Sequence, residues 1–393
     1  MRILLVGNYE SDGQESMQRF AAFMAGGLTQ AGHEVRIAKP RVWFGQFRTI
    51  TGLGKWLAYL DKLGLFPFAL KSEIQWADVV HICDHGNAFY TKYLRSVPHV
   101  VTCHDLLAVR SALCEIPQNP IRWSGKKIQR MIVDGLTRAQ HVACVSDATR
   151  SDLLRIAGIP EQRVSRVYNS LTYPYSPMQE CEASLRLCRM GLDPRQPFLL
   201  HVGCNFWYKN RLGVLRIVSA LRKLSGLQTF KLVMVGQPWT AQMRQFVCEN
   251  AMSDVAMELT GVANEDLRAL YSMAVMMLFP SLQEGFGLPI VEAQSCGCTV
   301  VTSKRPPMNE VAGDAAIYVD PDDPNSAAAI ISRALSQAGK LRESSIANAE
   351  RFRAGMIENY LSLYAKVWSE KTAHKSREFA VTKASSCSNR SRP

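Results

Sequence analysis

The chain has 393 residues, long enough for two domains, and its 47% hydrophobic and 20% charged residues are ordinary for a soluble globular enzyme. No stretch approaches 18 consecutive apolar residues, so no membrane-spanning helix is expected. The formal net charge is +12. No recognition motif accompanies that charge, which makes nucleic acid an unlikely partner.

The positive charge is concentrated in two segments. Residues 36–72 contain seven Lys or Arg against one acid, and residues 370–393 contain six against two. Such patches suggest contact with an anionic surface, either a membrane leaflet or a phosphorylated acceptor, although a solvated face and a disordered tail would look the same. The cysteines are scattered and odd in number, which favours reduced thiols in a cytosolic protein.

The first half of the chain alternates short apolar runs with longer amphipathic segments. We predict an amphipathic helix that follows the first strand and ends near Gly32. Buried strands are predicted at residues 3–6, 35–38, 79–82, 100–102 and 142–145. This alternation predicts a parallel sheet with crossover helices, and hence a Rossmann-like N-terminal domain over residues 1–170.

A basic amphipathic insertion at about residues 40–72 interrupts this domain. Trp56, Leu57, Leu60, Leu63 and Leu65 are spaced roughly as an apolar helical stripe flanked by lysines. The segment could lie in a membrane interface, or it could be a helix packed on its own domain.

Residues 171–195 carry Pro and Ser without strand alternation and are predicted to be the interdomain linker. A second alternating series follows, with strands at 198–202, 231–235, 275–279 and 300–302 and helices between them. It predicts a C-terminal Rossmann-like domain over 196–353. We further expect a C-terminal helix at 354–370 that packs back toward the N-terminal domain, and a disordered basic tail at 371–393.

The segment EGFGLPIVE, from Glu284 to Glu292, joins a predicted strand to a predicted helix. Gly285 and Gly287 allow a tight turn and a close approach to a ligand, and Pro289 suits the first turn of a helix. Free amides at that helix start form a site for phosphate oxygens, whereas the two carboxylates are good acceptors for sugar or ribose hydroxyls. A nucleotide sugar carries hydroxyls on both sides of a diphosphate.

This segment, with the flanking FPSLQ and AQSCGCTVVTS and the later EVAGD and VDP stretches, resembles the family 4 glycosyltransferases, of glycosyl transferases group 1 type. The resemblance implies a GT-B fold, an α/β architecture with two Rossmann-like domains whose parallel sheets face across a cleft. It also implies a retaining, metal-independent hexosyltransferase without a cofactor. By resemblance, Glu284 would contact the transferred sugar and Glu292 the ribose. The amides of Phe286, Gly287 and Leu288 would hold the diphosphate.

Two further segments carry the resemblance. In HVGCNFWYKNR, Lys209 would be the donor-phosphate lysine, which offsets the charge that the leaving nucleoside diphosphate gains. Many relatives have an arginine where this chain has Cys204 and Asn205, so Asn205 or Arg211 would supply the second phosphate contact. In VVTCHDLLAVR, His104 matches a family histidine close to the donor sugar, and Asp105, which follows it, would lie on the acceptor side with Gly13.

The acceptor side is less typical of the family. The loop GNYESDGQES contains Gly13 as its one glycine before the first helix, where many relatives have several. Asp320-Pro321-Asp322 matches a metal-binding pattern of other sugar transferases, but it lies in a proline-punctuated turn that the family shares. Ser146 is predicted to cap a helix, with Asp147 behind it.

The sequence therefore predicts a cytoplasmic enzyme of polysaccharide biosynthesis. Peripheral attachment to the inner face of the plasma membrane is left open. It would transfer a hexose from a UDP- or GDP-sugar to a glycan or lipid-linked acceptor. Two alternatives remain open on the sequence, a sugar-nucleotide epimerase of the same architecture and a catalytically silent glycosyltransferase-like scaffold.

Overall fold

The fold is described from a computed structural model. It covers residues 1–44, 54–224 and 230–388, without the side chains of residues 54–56, 338 and 373–388. The ten cysteines whose side chains are described are all free thiols.

Two six-stranded parallel sheets organise the chain, one in each half. The strands are β1 Arg2–Val6, β2 Glu34–Ala38, β3 Val79–Ile82, β4 His99–Cys103, β5 His141–Cys144, β6 Val164–Arg166, β7 Phe198–Gly203, β8 Lys231–Gly236, β9 Ala256–Leu259, β10 Met276–Phe279, β11 Val300–Ser303 and β12 Ala316–Val319. The first sheet has the order β2-β1-β3-β4-β5-β6, and the second has the order β12-β11-β10-β7-β8-β9. All pairings are parallel, as the alternation of strands and helices predicts.

Helices connect the strands and cover both faces of each sheet. They are α1 Glu15–Gln30, α2 Gly54–Tyr59, α3 Phe66–Trp76, α4 Leu107–Ala112, α5 Trp123–Arg138, α6 Asp147–Ala157, α7 Glu180–Arg189, α8 Arg211–Arg222, α9 Ala241–Glu249, α10 Asn264–Met273, α11 Leu288–Ser295, α12 Met308–Ala312, α13 Pro324–Leu335, α14 Arg342–Glu350 and α15 Met356–Ser388. Successive strand residues point to opposite faces, so Leu4 and Val6 enter one core layer while Ile3 and Leu5 enter the other.

The central strands were predicted within one or two residues of their observed bounds, but β6, β9 and β12 were missed. Each of these three lies at an edge of its sheet, whereas β2, at the other edge of the first sheet, was predicted. An edge strand is only partly buried, and its residues do not form the continuous apolar run that marks a strand covered on both faces. The burial of β12, for example, is intermediate at three of its four residues.

The predicted linker contains a helix that belongs to the C-terminal domain. Ala183 and Leu187 of α7 are fully buried in the core beneath the second sheet. Arg186 on the same helix forms an ion pair with Asp266 of α10 at 3.0 Å. Residues 180–189 of the predicted linker are thus helical and packed on the C-terminal domain.

The insertion combines a packed side with an exposed one. A π-helical turn, Leu60–Leu65, separates α2 from α3. Because a π turn changes the helical register, the predicted stripe does not lie on one face. Leu63 packs against the N-terminal core together with the buried Phe66, whereas Leu60 and Leu65 are exposed and Phe68 is 73% exposed. Residues 45–53 of the insertion lie outside the described residues.

Helix α15 begins in the C-terminal half and packs on the N-terminal domain. Tyr360 and Tyr364 are fully buried against the first sheet. The Tyr364 hydroxyl is hydrogen-bonded to His81 Nδ1 at 2.7 Å, His81 Nε2 to the Thr102 hydroxyl at 2.7 Å, and that hydroxyl to Tyr360 at 2.6 Å. Burial lowers the pKa of His81 to about 3, so the ring is neutral in this network.

The same helix continues to Ser388, which corrects the expectation of disorder from residue 371. The polar composition that suggested a disordered tail includes three Lys and three Ala between residues 371 and 388, and both residue types are good helix formers. A helix that extends from a packed segment does not need to nucleate again. Residues 389–393 lie outside the described residues.

We expect Tyr364→Phe to lower the free energy of unfolding by about 1–3 kcal/mol, because a buried nitrogen of His81 loses its partner. Urea unfolding followed by circular dichroism measures this. Tyr93→Phe is the matched control, since no hydrogen bond of the Tyr93 hydroxyl is found among the described residues. Equal stability of the two variants would contradict a stabilising role for the Tyr364 contact.

Candidate functional site

In each sheet there is a switch point, a pair of neighbouring parallel strands from which the chain adds further strands on opposite sides. In the C-terminal sheet the chain leaves β7 toward β8 and β9, and leaves β10 toward β11 and β12. A crevice opens at the carboxyl ends of strands at such a switch point, and ligands of open α/β sheets bind there. The loops after β7 and β10 carry Lys209 and Glu284, which are distant in sequence.

The structure brings these two side chains into contact. Lys209 Nζ lies 2.8 Å from Glu284 Oε1, and the two side chains are only 13% and 6% exposed. The contact is close in distance but poorly aligned as a hydrogen bond, since Oε1 has no partner of acceptable geometry among the described groups. Lys209 Nζ also lies 5.0 Å from the centre of the Phe279 ring. A buried ion pair with incomplete hydrogen bonding recovers only part of the free energy that it costs to bury its two charges.

The turn between β10 and α11 has two glycines with different functions. Gly287 has φ of 101°, which favours glycine, and directly precedes α11. Gly285 was predicted to allow a ligand close to the backbone. That stays a prediction, and the structure shows a further reason for glycine here: the other domain approaches closely, because a Cβ at Gly285 would lie 2.0 Å from the carbonyl oxygen of His104. The Gly285 carbonyl also accepts a 2.7 Å hydrogen bond from the Ser146 hydroxyl.

The amides after Gly285 are available to a ligand. Within the described ranges, no hydrogen bond is made by the amides of Phe286, Gly287 or Leu288. The Phe286 side chain is buried and packs against the rings of Tyr168 and Phe352, which fixes the turn. Backbone N–H groups without partners at the start of a helix form an anion site.

Glu292 lies one turn into α11 and has one strong partner. The hydroxyl of Tyr271, a fully buried residue of α10, donates a 2.9 Å hydrogen bond to Glu292 Oε2. Desolvation raises the pKa of Glu292, and the Tyr271 bond acts against that increase. Tyr271 thus fixes the direction of the carboxylate, a role that the sequence analysis missed.

Asn205 and Arg211 form a cluster with the loop after β8. Arg211 donates to Asn205 Oδ1 and to the carbonyl of Gln237, and Asn205 Nδ2 donates to the carbonyl of Pro238 at 2.7 Å. The amide of Asn205 is therefore used within the protein. Arg211 is 4% exposed, and its Nε and second terminal nitrogen lack hydrogen-bond partners in the described structure. Burial lowers its pKa, as expected for a cation without a carboxylate partner.

His104 reaches the same region from the N-terminal domain. Its Nε2 lies 2.9 Å from the carbonyl oxygen of Cys83, which can only accept, so Nε2 carries the proton. Burial lowers the pKa of His104, which leaves Nδ1 as a hydrogen-bond acceptor in a neutral ring. Asp105 accepts from the Leu107 amide at 2.9 Å and so caps the following turn.

The other residues singled out in the sequence cap a helix or lie in turns. Ser146 caps α6 as predicted, accepting from the Thr149 amide at 3.1 Å. Gly13 has φ of 66° and closes a short helical turn on the surface. The side chain of Arg305 forms ion pairs with both Asp320 and Asp322, the two acids of the Asp-Pro-Asp pattern. Within residues 1–44, 54–224 and 230–388, no group of three His, Cys, Asp or Glu could hold a metal ion.

Two cavities lie near these residues. The larger, about 620 Å³, lies between the domains and is lined by Glu284, Asp105 and Arg110, but by neither Lys209 nor Glu292. The smaller, about 210 Å³, lies at the carboxyl end of the first sheet and is lined by Asn8, Asp84 and His85. The sequence analysis did not select these three residues. Asp84 and His85 follow β3 after Cys83, much as His104 and Asp105 follow β4, so the same strand-end signal could have found them.

Helices of the described part of the chain are all too short or too polar to cross a membrane.

Comparison with known proteins adds to this geometry. Residues 189–352 match the family model of glycosyl transferases group 1, and residues 17–171 match that of glycosyltransferase family 4. The O-antigen chain mannosyltransferase B of Escherichia coli is 30% identical over 253 residues, which are 64% of this chain and 64% of that protein. The O-antigen chain mannosyltransferase RfbU of Salmonella typhimurium is 26% identical over 48% of this chain and 49% of that protein. The matched part thus spans less than two-thirds of either relative.

A solved structure shows the same fold. HepE of Anabaena, in complex with UDP and glucose, superposes with a TM-score of 0.69 at 15% identity, covering 96% of this chain and all of that one. The architecture is therefore GT-B, as predicted. With the two family models matching both Rossmann-like halves, the chain belongs to the family 4 glycosyltransferases of group 1 type.

Proposed function

We propose that this protein transfers a hexose from a nucleoside-diphosphate sugar to a glycan or lipid-linked acceptor, with retention at the anomeric carbon and without a metal ion. The observation that carries the proposal is the Lys209–Glu284 pair at the switch point of the C-terminal sheet. It lies in the loops on either side of that switch point, next to three amides without partners. One anion site and one carboxylate side by side suit a diphosphate joined to a sugar.

Each group has a distinct part in this proposal. The amides of Phe286, Gly287 and Leu288 bind the diphosphate, and Lys209 Nζ moves from Glu284 to the phosphate oxygen that bears the developing negative charge. Preorganised donors of this kind stabilise the transition state because the charge they meet grows as the glycosidic bond breaks. The released Glu284 then accepts hydrogen bonds from hydroxyls of the transferred sugar, and neutral His104 accepts another at Nδ1.

The nucleoside is bound farther along α11, and the second phosphate contact comes from the start of α8. Glu292, held by Tyr271, accepts from the ribose hydroxyls. Arg211 supplies the second phosphate contact, since two of its nitrogens are buried without partners. Asn205 supports Arg211 instead of contacting phosphate itself, because its side-chain amide is bonded to Pro238.

The comparisons support the substrate classes. The HepE structure contains UDP and glucose, and two relatives are named as O-antigen chain mannosyltransferases. The proposed donor is therefore a UDP- or GDP-hexose, and the proposed acceptor is a growing glycan of polysaccharide biosynthesis. Retention and metal independence are carried over from the family.

We also propose that the insertion contacts an anionic membrane from the cytoplasmic side, where lipid-linked acceptors are presented. Phe68 is 73% exposed, and Lys71 Nζ lies 6.0 Å from the centre of its ring. Leu60 and Leu65 on the preceding turns are also exposed. Apolar side chains beside a lysine suit the boundary between headgroups and acyl chains.

Glu292→Ala should weaken the binding of UDP or GDP, whichever stabilises the wild-type protein, by about 1–3 kcal/mol through lost charged hydrogen bonds. Because the pKa of Glu292 is raised, wild-type affinity should begin to fall at a higher pH than an ordinary carboxyl would give, and Glu292→Gln should lose that pH dependence. Calorimetry between pH 7.5 and 5 measures both. The exposed Glu249→Ala serves as the control, and unchanged affinity in the Glu292 variants would reject the ribose assignment.

Lys209→Ala should lower the rate of sugar transfer or donor hydrolysis by about 10²–10³-fold while changing nucleotide affinity much less. Lys209→Arg, which keeps a cation, should retain more of the rate. The exposed Lys223→Ala provides the reference. A loss of affinity as large as the loss of rate would show that Lys209 only binds the ground state.

Phe68→Asp should reduce binding to vesicles containing anionic lipid at low salt, because a charge replaces an apolar contact. Sedimentation with vesicles measures it. Leu185→Asp changes a similarly exposed side chain, 63% exposed, in the C-terminal domain and should bind like the wild type. If the Phe68 and Leu185 variants behave alike, or if the wild-type protein ignores anionic vesicles, the membrane proposal fails.

A further inference from the structure

Three aromatic residues in a row, Phe206, Trp207 and Tyr208, precede Lys209 in the loop after β7. Phe206 is 60% exposed, whereas Trp207 and Tyr208 are partly buried. A short helical turn, Trp207–Lys209, places the last two aromatic residues directly before the lysine. The proposed function uses Lys209 of this loop but none of the three aromatic side chains, although they lie at the entrance to the donor site.

Tyr208 is fixed to both loops that form the donor site. Its carbonyl oxygen accepts a 2.8 Å hydrogen bond from the amide of Leu282, which lies two residues before Glu284 in the loop after β10. Lys209 Nζ lies 5.6 Å from the centre of the Tyr208 ring and 2.8 Å from Glu284 Oε1. The Tyr208 side chain is therefore a neighbour of the Lys209–Glu284 pair on which the proposed function depends.

The two preceding aromatic residues hold the ring of Tyr208. The Phe206 ring is stacked on it, with ring centres 5.6 Å apart and planes inclined by 23°. The Trp207 ring meets it edge to face, with centres 5.7 Å apart and planes at 90°. Both arrangements are favourable for aromatic pairs. A ring with two such contacts has little freedom to rotate, so the position of the Tyr208 hydroxyl is defined before a substrate binds.

This hydroxyl is available to a ligand. Among the residues that the structure describes, none forms a hydrogen bond with it. It interacts electrostatically with Glu284 and with Asp105 of the opposite domain. Burial and these two carboxylates raise the pKa of Tyr208, so the phenol keeps its proton. A neutral phenol can donate one hydrogen bond and accept others.

The surroundings of the hydroxyl favour a sugar over a phosphate as its partner. A phosphate at this point would be repelled by both Glu284 and Asp105. A sugar hydroxyl, in contrast, can donate to the Glu284 carboxylate and accept from the Tyr208 phenol at the same time. Hydrogen bonds linked in this order polarise one another and are strengthened. Tyr208 and Glu284 together thus suit one hydroxyl group of a hexose.

We propose that Tyr208 is a specificity-determining residue for the transferred hexose. Its phenol donates a hydrogen bond to one hydroxyl of that hexose, the same hydroxyl that donates to Glu284. Phe206 is a positioning residue that acts through the ring of Tyr208. The inference rests on the proposed function, since a transferred hexose exists only if the protein binds a nucleotide sugar. It goes further in assigning the recognition of a single sugar hydroxyl to this aromatic run.

Tyr208→Phe tests the assignment, because it removes the hydroxyl and keeps the ring with its packing. Calorimetry compares UDP-glucose, UDP-galactose and GDP-mannose with UDP and GDP, and the probe is the nucleotide sugar that binds the wild-type protein most tightly. We expect the variant to bind that probe about 3–10-fold more weakly and the matching nucleoside diphosphate less than twofold more weakly. Tyr93→Phe makes the same change in the N-terminal domain and should bind like the wild type. Equal losses for probe and nucleoside diphosphate overturn the proposal.

Deoxy analogues of the probe identify the hydroxyl that Tyr208 contacts. The set contains the four analogues that lack the hydroxyl at position 2, 3, 4 or 6 of the hexose. We expect Tyr208→Phe to weaken the binding of three analogues as much as that of the probe, and to change the fourth less than twofold, because that analogue lacks the partner of the phenol. A loss of the same size for all four analogues contradicts a contact with a sugar hydroxyl.

Variants of Phe206 test its positioning role. Phe206→Leu removes the stacked ring and should weaken the binding of the probe more than twofold, while the matching nucleoside diphosphate binds as before. Phe206→Tyr keeps a ring in place and should restore wild-type binding. Trp123→Leu changes another exposed aromatic residue, 76% exposed, in the N-terminal domain and serves as the control. If the Phe206→Leu and Trp123→Leu variants bind the probe equally well, Phe206 does not position Tyr208.

The same measurements separate this proposal from the one on which it rests. If the wild-type protein binds neither a nucleoside diphosphate nor any of the three nucleotide sugars, the proposed function fails, and the role of Tyr208 fails with it. If the wild-type protein binds a nucleotide sugar and Tyr208→Phe binds it equally tightly, only the role of Tyr208 is rejected.

Discussion

The contact between the Gly285 backbone and the His104 carbonyl is the constraint on which the two-domain site depends. No side chain other than hydrogen fits there, because a Cβ would lie 2.0 Å from the carbonyl oxygen. The contact joins the turn that carries Glu284 to the strand end that carries His104. The Ser146 hydroxyl adds a hydrogen bond to the carbonyl of Gly285 from the cap of α6. The loop after β10 of the second sheet is therefore held against the ends of β4 and β5 of the first sheet.

The two sheets use the same topology for different chemistry. At the switch point of the C-terminal sheet, Lys209 and Glu284 are paired beside free amides, and the site has cations and N–H groups for an anion. At the switch point of the N-terminal sheet, a cavity of about 210 Å³ has Lys62 beside Asp12 and His85 beside Asp84. Helix α15 crosses from one half to the other and anchors in the N-terminal core, which links the two halves covalently and by packing.

Much of the architecture could be read from the sequence because central parallel strands are buried on both faces. Runs such as Ile3–Val6 and the strand before Glu284 are continuous and apolar, and their bounds were predicted within one or two residues. The edge strands β6, β9 and β12 were not predicted, since partial burial leaves no such run. The helical state of residues 371–388 was not predicted either, because polar composition does not distinguish a polar helix from a disordered tail.

The sequence by itself determined the family, the two Rossmann-like halves and the loop positions of Lys209, Glu284 and His104, because these follow from local periodicity and from motifs at strand ends. Only the tertiary structure decided which groups meet. It placed Lys209 against Glu284, gave Glu292 its partner Tyr271, and assigned Gly285 to domain contact. It also brought Asn8 and Asp84 together from 76 residues apart. Such pairings depend on strand order and on the approach of two domains, which no local pattern of residues specifies.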